Sequence, residues 1–178
     1  MAIFAKVMVA NRGAVAARVL RSLNALGIPS VAVFSDADRD APWLALAGET
    51  AHIGAAPARE SYLDQDRILE AARRANADAI HPGYGFLSEN PGFAGRVEAA
   101  GMRFIGPAPR WIDAMGHKTR ARELAREHGL PVGRGSGVLP PEPDGILRAA
   151  EAIGYPVLVK PAAGGGGIGM LPARSPAE

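Results

Sequence analysis

The sequence predicts an α/β fold: a Rossmann-like parallel sheet over about residues 1–115, then a helical connector and the opening of a second α/β unit over 116–178. Three observations lead there. Short apolar runs alternate with amphipathic helical stretches up to about residue 105, the pattern of parallel strands joined by crossover helices. Glycines stand just after the helical stretches, where they close helices. Beyond Gly106 the rhythm breaks at Pro107 and Pro109, and glycine and proline accumulate.

Taken in order, Lys6-Val-Met-Val-Ala10 is a strand, followed by a helix from Ala14 to Leu26 with Val15, Val19, Leu20 and Leu23 near helical spacing. Gly27 stops that helix, and Pro29 leads into a second strand, Ser30 to Phe34. Asp64 is an N-cap for a helix to Ala75, because its short acidic side chain can accept from the first free backbone N–H groups. A brief strand at Ala79-Ile80, a helix from Pro91 to Ala100 closed by Gly101, and a strand from Met102 to Ile105 complete the first unit. A short helix from Arg110 to Met115 marks the domain boundary near residue 115. After it come a charged helix from Lys118 to His128, a glycine- and proline-rich loop through Pro143, a helix from Asp144 to Ile153, and a strand from Pro156 to Lys160. These pieces are too few to close a core within 178 residues, so the second unit is expected to be incomplete.

Composition narrows the functional classes. At 48% hydrophobic and 21% charged residues, the chain has the balance of a globular protein. It has no cysteine, which excludes disulfides, thiolate catalysis and cysteine metal sites, and suits a cytoplasmic protein. The apolar start is interrupted by Lys6 and too short to span a bilayer, so no membrane association is expected. The net charge of +2 comes from interspersed residues, and no basic tract with interleaved aromatics points to nucleic acid. Arg73 and Arg74 read as part of a solvated helix face.

The strongest local signal is Tyr155-Pro-Val-Leu-Val-Lys-Pro-Ala-Ala-Gly-Gly-Gly-Gly-Ile-Gly-Met170. Consecutive glycines expose backbone N–H groups and accept positive φ, so they can fold against phosphate oxygens. Lys160, at the end of the feeding strand, supplies a point charge for the same phosphates. A flexible linker is the plain rival, but linkers are Gly/Ser tracts and seldom sit between two apolar runs. Gly164 to Gly169 matches G-x-G-x-x-G literally, yet Pro172 and Pro176 follow where a dinucleotide fold needs a helix. No Gly-Lys-Ser/Thr follows either, which removes the Walker loop. What remains is a strand, a glycine flap and a strand, a hairpin that closes over a nucleotide, with its lysine before the glycines and an α/β unit ahead of it. That order is the ATP-grasp order.

Val9-Ala-Asn-Arg-Gly13, His81-Pro-Gly-Tyr-Gly-Phe-Leu-Ser-Glu-Asn90, Phe104-Ile-Gly-Pro107, Met115-Gly-His-Lys118 and the glycine stretch together resemble the motifs of biotin carboxylases, in that family's order and spacing. The resemblance covers essentially the whole chain. It implies a preATP-grasp domain over 1–115 and the beginning of an ATP-grasp domain over 116–178. It implies ATP-dependent carboxylation of biotin on a biotin carboxyl carrier protein, with bicarbonate as carboxyl donor through carboxyphosphate, and a carboxyltransferase as partner. It also implies a homodimer for the full-length protein. By resemblance Lys118, Lys160, Gly165, Gly166, Gly167 and Met170 contact ATP, and Tyr84, Gly85 and Phe86 face biotin. The Mg²⁺ carboxylates, the bicarbonate-binding arginine and the general base lie beyond residue 178 in this family. No catalytic or metal residue is therefore expected in the segment, and alone it is expected to be inactive.

Rival readings stand beside these. His81 is expected to be a buried, satisfied structural histidine, and the Asn11-Arg-Gly13 turn to be mainly structural, while Tyr84 and Phe86 have a plain alternative as core aromatics. Ala14 stands where the family usually has Glu, Ile168 where many members have Lys or Arg, and Pro161 is unusual. The flap and Ala121-Arg-Glu-Leu-Ala125 resemble urea carboxylases. The final acceptor thus stays open among acetyl-CoA, another acyl-CoA, pyruvate and urea. Outside the family, another ATP-grasp ligase of the carbamoyl-phosphate synthase kind and a non-catalytic binding module remain alternatives.

Overall fold

A computed structural model of the chain describes residues 3–161 and 169–178. It divides into two compact units, Met1–Asp113 and Ala114–Glu178. The first contains β1 (Val7–Val9), α1 (Gly13–Ala25), β2 (Ser30–Phe34), β3 (Glu49–His52), α2 (Gln65–Arg74), β4 (Ala79–His81), α3 (Pro91–Ala99) and β5 (Arg103–Phe104), with short 3-10 turns at Asp36–Asp38, Pro42–Leu46 and Ala58–Glu60. All neighbouring strands pair in parallel, in the order β3-β2-β1-β4-β5. This is the expected Rossmann-like sheet. The strand β3 is an addition to it: Glu49-Thr-Ala-His52 contains no apolar run, because it lies on the sheet edge with most of its residues exposed.

The alternation of β1 builds two cores. Val7 and Val9 pack with Ala16, Leu20 and Leu23 of α1 and with Trp43. Met8 and Ala10 point the other way, into a cluster with Ile68 and Leu69 of α2 and Phe93 and Val97 of α3. A sheet covered on both faces leaves only the ends of its strands for ligands.

Local chemistry sets the element ends. Gly27, at φ +66°, closes α1, as it can without the Cβ penalty of other residues. The Asp64 carboxylate accepts from the N–H groups of Asp66 and Arg67 at 3.1 Å each, and so caps α2. Asn90 does the same for α3, accepting from Phe93 N at 2.8 Å.

A helix α4 (Pro109–Gly116) crosses the boundary between the units. The second unit holds α5 (Lys118–Glu127), α6 (Pro143–Ile153) and an antiparallel hairpin of β6 (Val157–Val159) and β7 (Leu171–Ala173). Among the described residues, no helix is long and apolar enough to cross a membrane.

Candidate functional site

In the first unit, β1 is flanked by β2, which continues the chain to one side, and by β4, which begins the other side. The crevice at such a reversal of strand order, outside the carboxyl ends of the strands, is where open α/β sheets take ligands. Two loops meet there: Ala10 to Gly13 after β1, and Pro82 to Phe86 after β4. Buried Asn11 joins them, its Nδ2 donating to the carbonyls of Pro82 at 2.7 Å and Tyr84 at 2.9 Å. Gly83 and Gly85 have φ of +68° and +72°. At Gly83 there is also no room, since a Cβ would come within 2.7 Å of Asn11 Nδ2 and of Val15 Cγ1. Tyr84 sits between the two glycines, 79% exposed.

Below this turn lies a polar network that the sequence did not announce. Asp38 is buried, paired with Arg12, and accepts from Tyr62 Oη at 2.7 Å and Ser35 Oγ at 3.2 Å. Burial would raise the Asp38 carboxyl, but hydrogen bonds from Arg12 and Tyr62 outweigh it and hold it below the usual carboxylate range. Burial, helped by the hydrogen bond to Asp38, pushes the Tyr62 phenol up to about 12, so it remains a donor. The Tyr62 ring stacks on Phe86 with centroids 5.1 Å apart and planes 18° from parallel. On the β4 side, Gly83 N donates to His81 Nδ1 at 3.0 Å. Desolvation holds the His81 imidazole below its ordinary value, which keeps it a neutral acceptor.

In the second unit, β6 and β7 pair with Val157 opposite Ala173 and Val159 opposite Leu171. Continued by one residue, this register sets Lys160 opposite Met170, both exposed. The arms are still close one step further, where a Cβ on Gly169 would lie 3.0 Å from Pro161 Cγ. Gly165, Gly166 and Gly167 lie outside the described residues. Lys118 is the first residue of α5 and half-buried. Among the described residues, no group of three or more His, Asp or Glu is placed to hold a metal ion.

The chain matches the biotin carboxylase N-terminal domain over residues 3–112, and the ATP-binding domain of the carbamoyl-phosphate synthase L chain over residues 117–178. The chain belongs to the biotin carboxylase family. It is 49% identical to one of the subunits of the pyruvate carboxylase of Methanothermobacter thermautotrophicus, over 94% of this chain and 34% of that protein. It is 48% identical to biotin carboxylase 2 of Bacillus subtilis, over 94% of this chain and 38% of that protein. The biotin carboxylase domain dimer of the Hydrogenobacter thermophilus 2-oxoglutarate carboxylase, solved with MgADP, ADP and bicarbonate, aligns with a TM-score of 0.93 and 42% identity, over 99% of this chain and 39% of that one. The chain thus spans a little over a third of the length of these relatives.

Tyr84, Gly85 and Phe86 lie on the turn that follows β4, outside the carboxyl ends of the strands. The alternative of a core aromatic fails for Tyr84, which is exposed, and holds in part for Phe86, which packs on the core. His81 is half-buried rather than buried: it sits at the carboxyl end of β4 and accepts from Gly83 N in the exposed turn that follows. Sequence reasoning missed Ser35, Asp38 and Tyr62. The nearest cue was the acidic pair Asp36 and Asp38 directly after the carboxyl end of β2, which does not reveal the partners of either residue.

Proposed function

We propose that the full-length protein carboxylates biotin on a biotin carboxyl carrier protein, using ATP and bicarbonate. The carboxyl group then passes through a carboxyltransferase to an acyl-CoA. The observation that carries this reading is the β6–β7 hairpin, which brings Lys160 and Met170 to the two shoulders of the glycine stretch. An exposed ammonium at the foot of a glycine-rich stretch suits a triphosphate, whose charge must be neutralised and whose oxygens must be held in place during transfer. The relative solved with MgADP and bicarbonate supports it. In this reading Lys160, Lys118 and the flap Gly165 to Gly167 hold the phosphates, while Tyr84, Gly85 and Phe86 face biotin. In this reading the magnesium carboxylates lie beyond residue 178, and no role toward the metal is given to the residues of this segment. The 178-residue segment by itself is proposed to be inactive.

A second reading, pyruvate as final acceptor, draws on the 49% identity to the Methanothermobacter pyruvate carboxylase protein and shares every residue role above.

The test is Lys160→Ala in the full-length protein. Biotin-dependent ATP hydrolysis should lose roughly tenfold or more in ATP affinity or turnover, the scale of one charge-assisted phosphate contact. Unchanged kinetics would remove the hairpin from the ATP site.

A further inference from the structure

Tyr62 follows the 3-10 turn at Ala58–Glu60, outside every motif that the family resemblance rests on, yet it is only 1% exposed. Its two ends hold different things. The hydroxyl donates to Asp38 Oδ2 at 2.7 Å and accepts from Ser35 N at 3.2 Å. The ring stacks on Phe86, and the Arg12 guanidinium covers it at 5.6 Å from the centroid. Phe86 has φ +46°, in the left-handed region that a bulky side chain occupies only when its surroundings over-determine it. Asn11 holds the turn through the carbonyls of Pro82 and Tyr84 but makes no bond to Phe86. The far end of the turn is held by the bond from Ser88 N to the Gly85 carbonyl at 2.9 Å, by Leu87 buried in the core, and, at Phe86 itself, by the stack. Between these two anchors the Tyr84 side chain projects into solvent.

We propose that Tyr62 is a positioning residue for the turn that carries Tyr84. Its ring keeps Phe86 in the left-handed conformation, and its hydroxyl, tied to Asp38 and Ser35, keeps the ring in place. This rests on the reading that the Tyr84 to Phe86 turn faces biotin. It explains why a buried carboxylate and its arginine, which touch no proposed substrate group, sit directly beneath that turn. The ring and the hydroxyl can be separated: Tyr62→Phe keeps the stack and loses the tether, while Tyr62→Leu loses both.

The experiment uses the full-length protein and two readouts, hydrogen exchange of the amides of residues 83–88 and the kinetics of ATP hydrolysis driven by free biotin. In Tyr62→Leu the turn should exchange about tenfold faster, and the KM for biotin should rise about tenfold while the KM for ATP stays within about twofold, the pattern of a misplaced binding group and not of a lost fold. Tyr62→Phe should recover most of both effects. Wild-type exchange and wild-type biotin KM in Tyr62→Leu would overturn the proposal, and so would a parallel loss in both KM values and kcat. If Tyr62→Leu does not fold, Phe86→Leu removes the half-buried partner of the same stack, and hydrogen exchange of the turn decides there, because Phe86 is itself placed facing biotin; wild-type exchange overturns the proposal equally. A wild-type protein without biotin-driven ATP hydrolysis would instead refute the functional reading, and the exchange data would still decide the role of Tyr62.

Discussion

In the sheet unit, all three residues of β1 are at 0% exposure, whereas in the hairpin unit Leu158 of β6 is 48% exposed and Leu171 of β7 is 66% exposed. The helices differ in the same way: α2 buries Ile68, Leu69 and Ala72, but α5 buries no residue. The contrast separates two ways of placing a functional group. Asn11, Tyr62 and Phe86 are placed by a core that fills both faces of a sheet. Lys160 directly follows a short ladder whose residues are half-buried or exposed, with little apolar cover among the described residues. A group of the first kind is sensitive to packing far from it, and one of the second kind to little beyond its own ladder.

The comparison is tested most severely by Phe93→Ala. Phe93 is fully buried and meets Phe104 edge-on at 6.1 Å, and removing such a ring from a packed core costs about 3–5 kcal/mol. Guanidinium denaturation followed by the buried Trp43 should show that loss. A cost under about 1 kcal/mol would mean that the sheet unit is no better packed than the hairpin. Gly83→Ala comes next. It forces a Cβ into Asn11 and Val15 at a positive φ, and such strain costs about 1–3 kcal/mol. The same denaturation assay measures it, and an unchanged midpoint would show that the turn is not held against β1.

How much of this was legible in the sequence follows from the range of the physics involved. Asp64 and Gly27 act on their immediate neighbours, so the residue type and its place in the pattern were enough. Gly83 and Gly85, on either side of Tyr84, both take a positive φ, a conformation that the residue type itself permits. The edge strand β3 was hidden because a strand with most of its residues exposed carries no apolar run. The Tyr62 to Asp38 bond spans 24 positions, and neither residue sits in a repeating pattern. Its existence depends on tertiary packing that brings the end of β2 and the approach to α2 together, and no local signal encodes that.

The smallest effect belongs to the hairpin. Leu158 lies opposite Pro172 in the ladder and is about half exposed, so Leu158→Ala removes few contacts and leaves no cavity. In the 178-residue chain the opening free energy of the β6–β7 amides, read by hydrogen exchange, should change by no more than about 0.5 kcal/mol, the range of substitutions away from a core. A loss of about 1.5 kcal/mol or more would show Leu158 covered by packing after all. Lys160 would then share the mode of placement seen at Asn11 and Phe86, because the strand that delivers it would be anchored by its side chains and not by its ladder alone.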